Sequence, residues 1–319
     1  MSRPVLVLLG AIALALPLSL LAGRVWIDPL HPVLAAAPAI LFELRLPRGV
    51  LALVVGAGLG GAGAAMQGYL RNPLADPGLF GIAPGAALGA VLALLAGASA
   101  AWVLPLAALT GAGAAMALLA LIAGRTAGIA LFTLAGMMIA SLAGALTSLA
   151  ISLAPNPFAL SEIVTWLMGA LTDRGWADVW IAAPPTLLGL VLLVRAGRDL
   201  DALTLGEEAA RSLGVDPHRL QVLMIAGVGL TVGAGVAVAG IIGFVGLMVP
   251  HLVRRFTDRR PSRLIVPGAL AGALLVLLAD VLCRILPLAG GELRLGIALS
   301  LLGAPFFLAL LLRMRRGMT

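Results

Sequence analysis

The chain contains no lysine, and all 21 of its basic residues are arginine. A Walker A loop needs a lysine ammonium on phosphate, so this chain cannot supply one. If it moves a solute at the expense of ATP, another subunit hydrolyses the nucleotide. Cysteine is nearly absent too: Cys283 stands alone, which excludes an internal disulfide and any multi-cysteine metal site. The three histidines, His31, His218 and His251, are scattered, and no His-Glu-x-x-His occurs. His251, directly after Pro250, reads as a structural or capping residue rather than a metal ligand. Charge itself is scarce. Only 11% of residues are charged, against about a quarter in soluble domains.

What fills the space is apolar. Hydrophobic residues make up 61% of the chain and mean hydropathy is +1.12, values of an integral membrane protein. The 40 glycines and 20 prolines lie among apolar residues, where small side chains let membrane helices approach closely. A hydrocarbon core of roughly 30 Å needs about 20 apolar residues per helix. On that criterion ten spans are predicted, near 4–22, 49–69, 80–98, 101–123, 127–153, 176–196, 219–239, 241–256, 263–284 and 293–312. The eighth is short. The first is too long for a signal-peptide core and lacks a clear cleavage site, so it is read as a retained helix. Two shorter apolar pieces, 30–44 and 161–171, are predicted to lie at one membrane face. The whole chain, 1–319, reads as one all-α transmembrane domain.

Ten spans place both termini on one side, together with fifteen of the 21 arginines. The positive-inside rule makes that side cytoplasmic and puts Arg45, Arg48 and Arg284 on the outer one. The loop Arg71-Asn72-Pro73-Leu74-Ala75-Asp76-Pro77 is then a cytoplasmic reversal, since Pro73 and Pro77 bracket a chain that cannot continue as helix.

Gly56-Ala57-Gly58-Leu59-Gly60-Gly61 fits the G-x-G-x-x-G dinucleotide pattern but has no preceding strand, so it reads as a helix-packing surface. Asp280 is the one acid clearly inside an apolar span, and Arg284 follows one turn later; the pair is read as mutually neutralising near the outer face. Arg45 and Arg48 flank a proline where arginine is otherwise rare. One such residue is an ordinary interfacial anchor. Two of them, with Arg284, make a docking patch for a partner's carboxylates. Residues 203–214 read as a short cytoplasmic helix with acids Glu207 and Glu208 in its first turn, a small face at Ala209 and Ala210, then Arg211, Leu213 and a stop at Gly214. Asp216-Pro217 starts the next helix. A plain connector needs none of this, whereas a helix docking into a soluble partner's groove does.

These pieces resemble the permease family of binding-protein-dependent ABC importers for iron–siderophores, haem and cobalamin. The matching segments are Arg45-Leu46-Pro47-Arg48, Met66-Gln67, Asn72–Pro77, Leu205–Gly214, Gly243–His251 and Gly303-Ala304-Pro305-Phe306-Phe307, in family order from about residue 45 onward. The resemblance implies a type II importer permease of about ten spans in the inner membrane, present as two copies around a central pathway. It implies two cytosolic ATPases, which use ATP and Mg, and one soluble binding protein outside; this chain binds no cofactor and has no catalytic residue. It gives Arg45, Arg48 and Arg284 the binding-protein contact. To Gly206, Glu207, Glu208, Ala209, Ala210, Arg211, Leu213 and Gly214, within a coupling region of about 203–220, it gives the ATPase contact. The transport it implies is by alternating access, with gates near the cytoplasmic ends of spans four and five. An iron chelate is the commonest cargo it implies. The chain departs from the family at Arg294, where proline usually follows the Glu-Leu that opens the last span. An ion-coupled secondary transporter is the rival reading, but it usually places an ionisable residue near the midplane. A membrane-embedded enzyme lacks a nucleophile–base pair or metal triad here.

Overall fold

A computed structural model of the chain describes residues 3–23, 26–27, 37–97, 100, 102–124, 128–286 and 291–316. Twelve helices account for most of these residues: α1 Arg3–Leu21, α2 Leu46–Tyr69, α3 Ile82–Leu95, α4 Val103–Ala123, α5 Ile129–Ser152, α6 Pro157–Leu167, α7 Trp176–Leu203, α8 Glu207–Ser212, α9 Pro217–Ala239, α10 Val245–Val253, α11 Pro261–Ile285 and α12 Leu295–Arg316. Eight are long and apolar enough to cross a membrane, with α2 extended by a π-helical turn over Ile40–Arg45. The all-helical membrane fold is as expected.

Two of the ten expected spans are shorter than a bilayer. The third is helical only over the 14 residues of α3, about 21 Å of rise. It is preceded by a 3-10 turn, Pro77–Phe80, and by Gly81 with φ 77°. The eighth is the 9-residue α10 after a non-helical stretch at 240–244. Irregular backbone at membrane depth is tolerated where protein surrounds it. Gly240 and Ile242 are buried, and the backbone of 239–241 packs on Gly169. The expected surface piece 161–171 is α6, which starts earlier because Asn156 caps it, accepting from Ala159 N at 2.9 Å, with Pro157 in the first turn. The other expected surface piece, 30–44, is corrected in part. Residues 37–45 are helical and run straight into α2, while 28–36 lie outside the described residues.

The centre of the bundle is built from α2, α9 and α11, which are largely buried, whereas α1, α4, α5 and α7 expose most of their apolar surface. The glycine run of α2 explains how. Gly56 and Gly60 lie directly on the backbone of Gly272 and Gly268 in α11, so close that any Cβ would collide with a carbonyl. The G-x-G-x-x-G segment is therefore a helix-crossing surface. Leucine at Gly60 is expected to lower stability by about 1–3 kcal/mol, read as an earlier thermal unfolding midpoint in detergent.

Candidate functional site

Two regions, at opposite ends of the bundle, carry the polar chemistry. At one end α2 brings up Arg48 and α11 brings up Asp280 and Arg284. Asp280 is completely buried. Arg48 Nη2 lies 2.9 Å from Asp280 Oδ1 and 2.8 Å from Glu292 Oε2, and Arg48 Nε donates to Asp280 Oδ1 at 3.0 Å. Arg284 Nε lies 3.1 Å from Asp280 Oδ2, which is the i, i+4 pair expected from the sequence. Glu292 also accepts from Thr172 Oγ1 at 3.4 Å.

The remaining guanidinium edges cap α1. Helix C-termini leave carbonyls without intrahelical donors. Arg45 Nη1 donates to Leu20 O at 2.8 Å and Leu21 O at 2.9 Å, and Arg284 Nη1 donates to Ser19 O and Ala22 O, both at 3.2 Å. Two cations at a helix C-terminus also match the sign of its dipole. Of the three arginines expected to meet a partner, Arg48 and Arg284 are drawn inward. Their side chains are only 11% and 5% exposed, because a buried carboxylate in an apolar span needs both of them.

Burial alone would raise the Glu292 carboxyl, but hydrogen bonding and charge from Arg48, with smaller help from Thr172 and Arg284, hold it below its ordinary value. A carboxyl depressed in the folded state stabilises above its unfolded pKa, and that contribution is lost as pH falls through the folded value. The thermal midpoint in detergent is therefore expected to fall as pH drops below the ordinary carboxylate range, by less in a Glu292→Gln protein, which has no such charge to lose.

The second region is at the opposite end. Asp216 accepts from His218 N at 2.9 Å and Arg219 N at 3.3 Å, starting α9 at Pro217, and Gly214 with φ 89° ends the preceding turn. Between Gly206 (φ 107°) and Gly214 stands α8. Ala210 is its buried anchor, while Glu208, Arg211, Leu213 and the adjoining Leu205 are exposed. Leu205 and Leu213, at 68% and 65% exposed, present apolar surface on a polar loop. Sequence reasoning missed one link. Glu207 Oε1 accepts from Ile129 N at 3.3 Å, so it caps α5 as well as opening α8. A glycine-started helix at Gly128-Ile129 with no capping side chain of its own was the available signal.

On the same face the Asn72–Pro77 loop is half out and half in. Asn72 is exposed and its side chain accepts from Leu74 N at 2.9 Å; Pro73 is half-buried. Asp76 accepts from Gly78 N at 2.7 Å, capping the 3-10 turn that begins at the buried Pro77. Pro77 packs on Gly246 at the start of α10. Desolvation raises the Asp76 carboxyl, against the opposing Gly78 hydrogen bond. His251 packs edge-on to Phe306, ring centroids 5.9 Å apart.

The sequence matches the FecCD transport family over residues 10–313. The chain belongs to the FecCD family. As a FecCD protein it is the permease of a type II ABC importer, a transport subunit rather than an enzyme, and a multi-pass protein of the inner membrane. It is 39% identical to the vitamin B12 import system permease protein BtuC of Salmonella paratyphi A over 312 residues, 96% of this chain and 93% of that one. It is 40% identical to YvrB, an uncharacterized ABC transporter permease protein of Bacillus subtilis, over 287 residues, 87% of this chain and 80% of YvrB. Its fold superposes on a transporter of metal-chelate ABC type, solved in an inward-facing conformation, with TM-score 0.89 at 32% identity, covering 97% of this chain and 98% of the other. In this FecCD permease the end bearing α8 and the end bearing Asp280 are thus the two membrane faces of a transport subunit.

Proposed function

We propose that this permease carries a bulky metal-centred chelate into the cell by alternating access, as two copies around a shared pathway. Two ATPases bind ATP and Mg, hydrolyse it and seat on α8; this chain holds no cofactor of its own. The termini and α8 are cytoplasmic, and the Asp280 end faces outward. The observation that carries the reading is α8 itself: a helix fixed at both ends by glycines of positive φ, anchored through Ala210, with two leucines held out into water. Glu207 then gives the movement a route into the membrane, because a displaced α8 takes its carboxylate away from the α5 N-terminus or pulls that helix with it.

Among cargoes, a corrinoid comes first, since a relative covering nearly the whole chain is named for vitamin B12 import; an iron chelate or haem follows from the sequence resemblance. A binding protein docks at the outer end. Its carboxylates reach Arg45 there and reach Arg48 by exchanging with Glu292, whose side chain is 23% exposed, while Arg284 stays with Asp280. The test is uptake by proteoliposomes holding the permease with its ATPase and binding protein. ATP-dependent accumulation of cyanocobalamin, without effect of an ionophore, is expected. Uptake that follows an ion gradient and ignores ATP would favour a secondary transporter.

A further inference from the structure

Four helix termini meet around a hollow of about 350 Å³ at the α8 face: the ends of α2, α7 and α10 and the start of α11. Arg71, Arg254 and Arg259 line it, with Gln67, Thr204 and Pro261, and among the described residues no carboxylate does. Among the described residues none of the three arginines has an ion-pair partner within 4.0 Å. Of the acids near it in sequence, Asp258 lies 3.9 Å from Arg260, Asp76 accepts from Gly78 N and Asp201 is held by the backbone and hydroxyl of Ser262.

Arginines at a membrane surface are ordinary, and each alone is explained by its stem lying on apolar surface with its head in water. Three further features exceed that explanation. Arg254 is held in place by a neutral group: its Nη2 donates to Gln67 Oε1 at 2.8 Å, and Gln67, only 2% exposed, is itself fixed by donating to Leu247 O at 3.2 Å. An amide acceptor orients the guanidinium and leaves its charge uncancelled. Arg254 Nε is buried without any hydrogen-bond partner. Finally, Arg71 and Arg259 have φ of 50° and 65°, two of the four left-handed non-glycine residues among those described. Such backbone is rarely adopted by side-chain-bearing residues and concentrates at ligand clamps. The first turn of α11 at Pro261 adds the positive end of a 25-residue helix.

We propose that this hollow binds a phosphate-class anion, either the headgroup of an acidic phospholipid or a free phosphate, with Arg71, Arg254 and Arg259 as its donors. It lies at the ends of three helices long enough to cross a membrane, α2, α7 and α11, where lipid headgroups come within reach, and Phe256, 72% exposed, lies two residues beyond Arg254. A basic pocket between helices at a membrane face has the chemistry for such a headgroup.

The experiment is native mass spectrometry of the full-length permease in detergent, titrated with phosphatidylglycerol, with phosphatidylcholine and with inorganic phosphate. One phosphatidylglycerol per chain is expected at concentrations where phosphatidylcholine is not retained. Each of Arg71→Gln and Arg259→Gln is expected to weaken it about fivefold. The lysine variants at both positions keep most of the binding and show that the fold is intact. Arg195→Gln with Arg198→Gln, on α7 outside the hollow, leaves it unchanged. Displacement of the lipid by inorganic phosphate supports free phosphate as the natural ligand; no displacement supports the lipid. Equal retention by the Arg71→Gln/Arg259→Gln protein, or an equal loss in the Arg195/Arg198 control, overturns the proposal, since either means general attraction to a basic face.

Discussion

Alanine at Asp280 is expected to destabilise the permease by about 3–5 kcal/mol, the typical result of removing one partner from a buried ion pair. The carboxylate is wholly buried and shared by Arg48 and Arg284, so its loss leaves guanidiniums of 11% and 5% exposure without their common counter-charge. Burying an unpaired cation costs more than the pair contributed. The damage would also spread to α1, because Arg284 is oriented by Asp280 while capping Ser19 O and Ala22 O. Thermal unfolding in detergent is the readout, and α1 should become accessible to protease first. Restoring balance with Asp280→Asn and Arg284→Met together should recover a good part of the loss. A single variant that melts within a degree or two of the parent would show that the cluster is solvated and does not seal this end.

The second large effect belongs to α8. Glutamate at Leu213 together with arginine at Ala209 is expected to weaken ATPase binding by 30-fold or more, as loss of a central apolar contact in an interface does. Leu213 is 65% exposed and Ala209 only partly covered, so the fold has little to lose, and the thermal midpoint should stay put. Glu207→Gln should separate two roles. It keeps the size of the side chain but removes the charge that caps Ile129 N, so the ATPase still binds while transport per ATP hydrolysed falls. Binding of the purified ATPase by surface interferometry, beside uptake measured on the same variants, resolves the two. If Leu213 and Ala209 variants bind the ATPase normally, another surface seats it.

Much of this arrangement could be read from residue order because it is local. Long apolar runs gave the spans, Asp216-Pro217 and Gly214 marked the boundaries of α9 and the preceding turn, the glycines at 56 and 60 announced a close helix crossing, and Asp280 and Arg284 stand one turn apart on a single helix. What escaped is non-local. Arg48 meets Asp280 across 232 residues, a pairing no periodicity encodes, and it draws the Arg48 guanidinium into a buried seam. Glu207 caps a helix 78 residues earlier for the same reason. The short α3 was hidden by composition, because an apolar residue in a protein-lined extended segment looks the same in sequence as one in a spanning helix, whereas the shortness of the eighth segment, now α10, was legible in its length. Arg294, where the resemblance implies proline, is half-buried just before α12, two residues after Glu292.

The most direct measurement is purification of the permease from its native membrane in mild detergent, followed by mass spectrometry of what accompanies it. A Walker-type ATPase at one copy per permease chain is the expected result, lost on the Leu213→Glu/Ala209→Arg substitutions and retained on Glu207→Gln. A clean permease with no ATPase, under conditions where a control importer stays whole, would contradict the assignment of α8 as the coupling element.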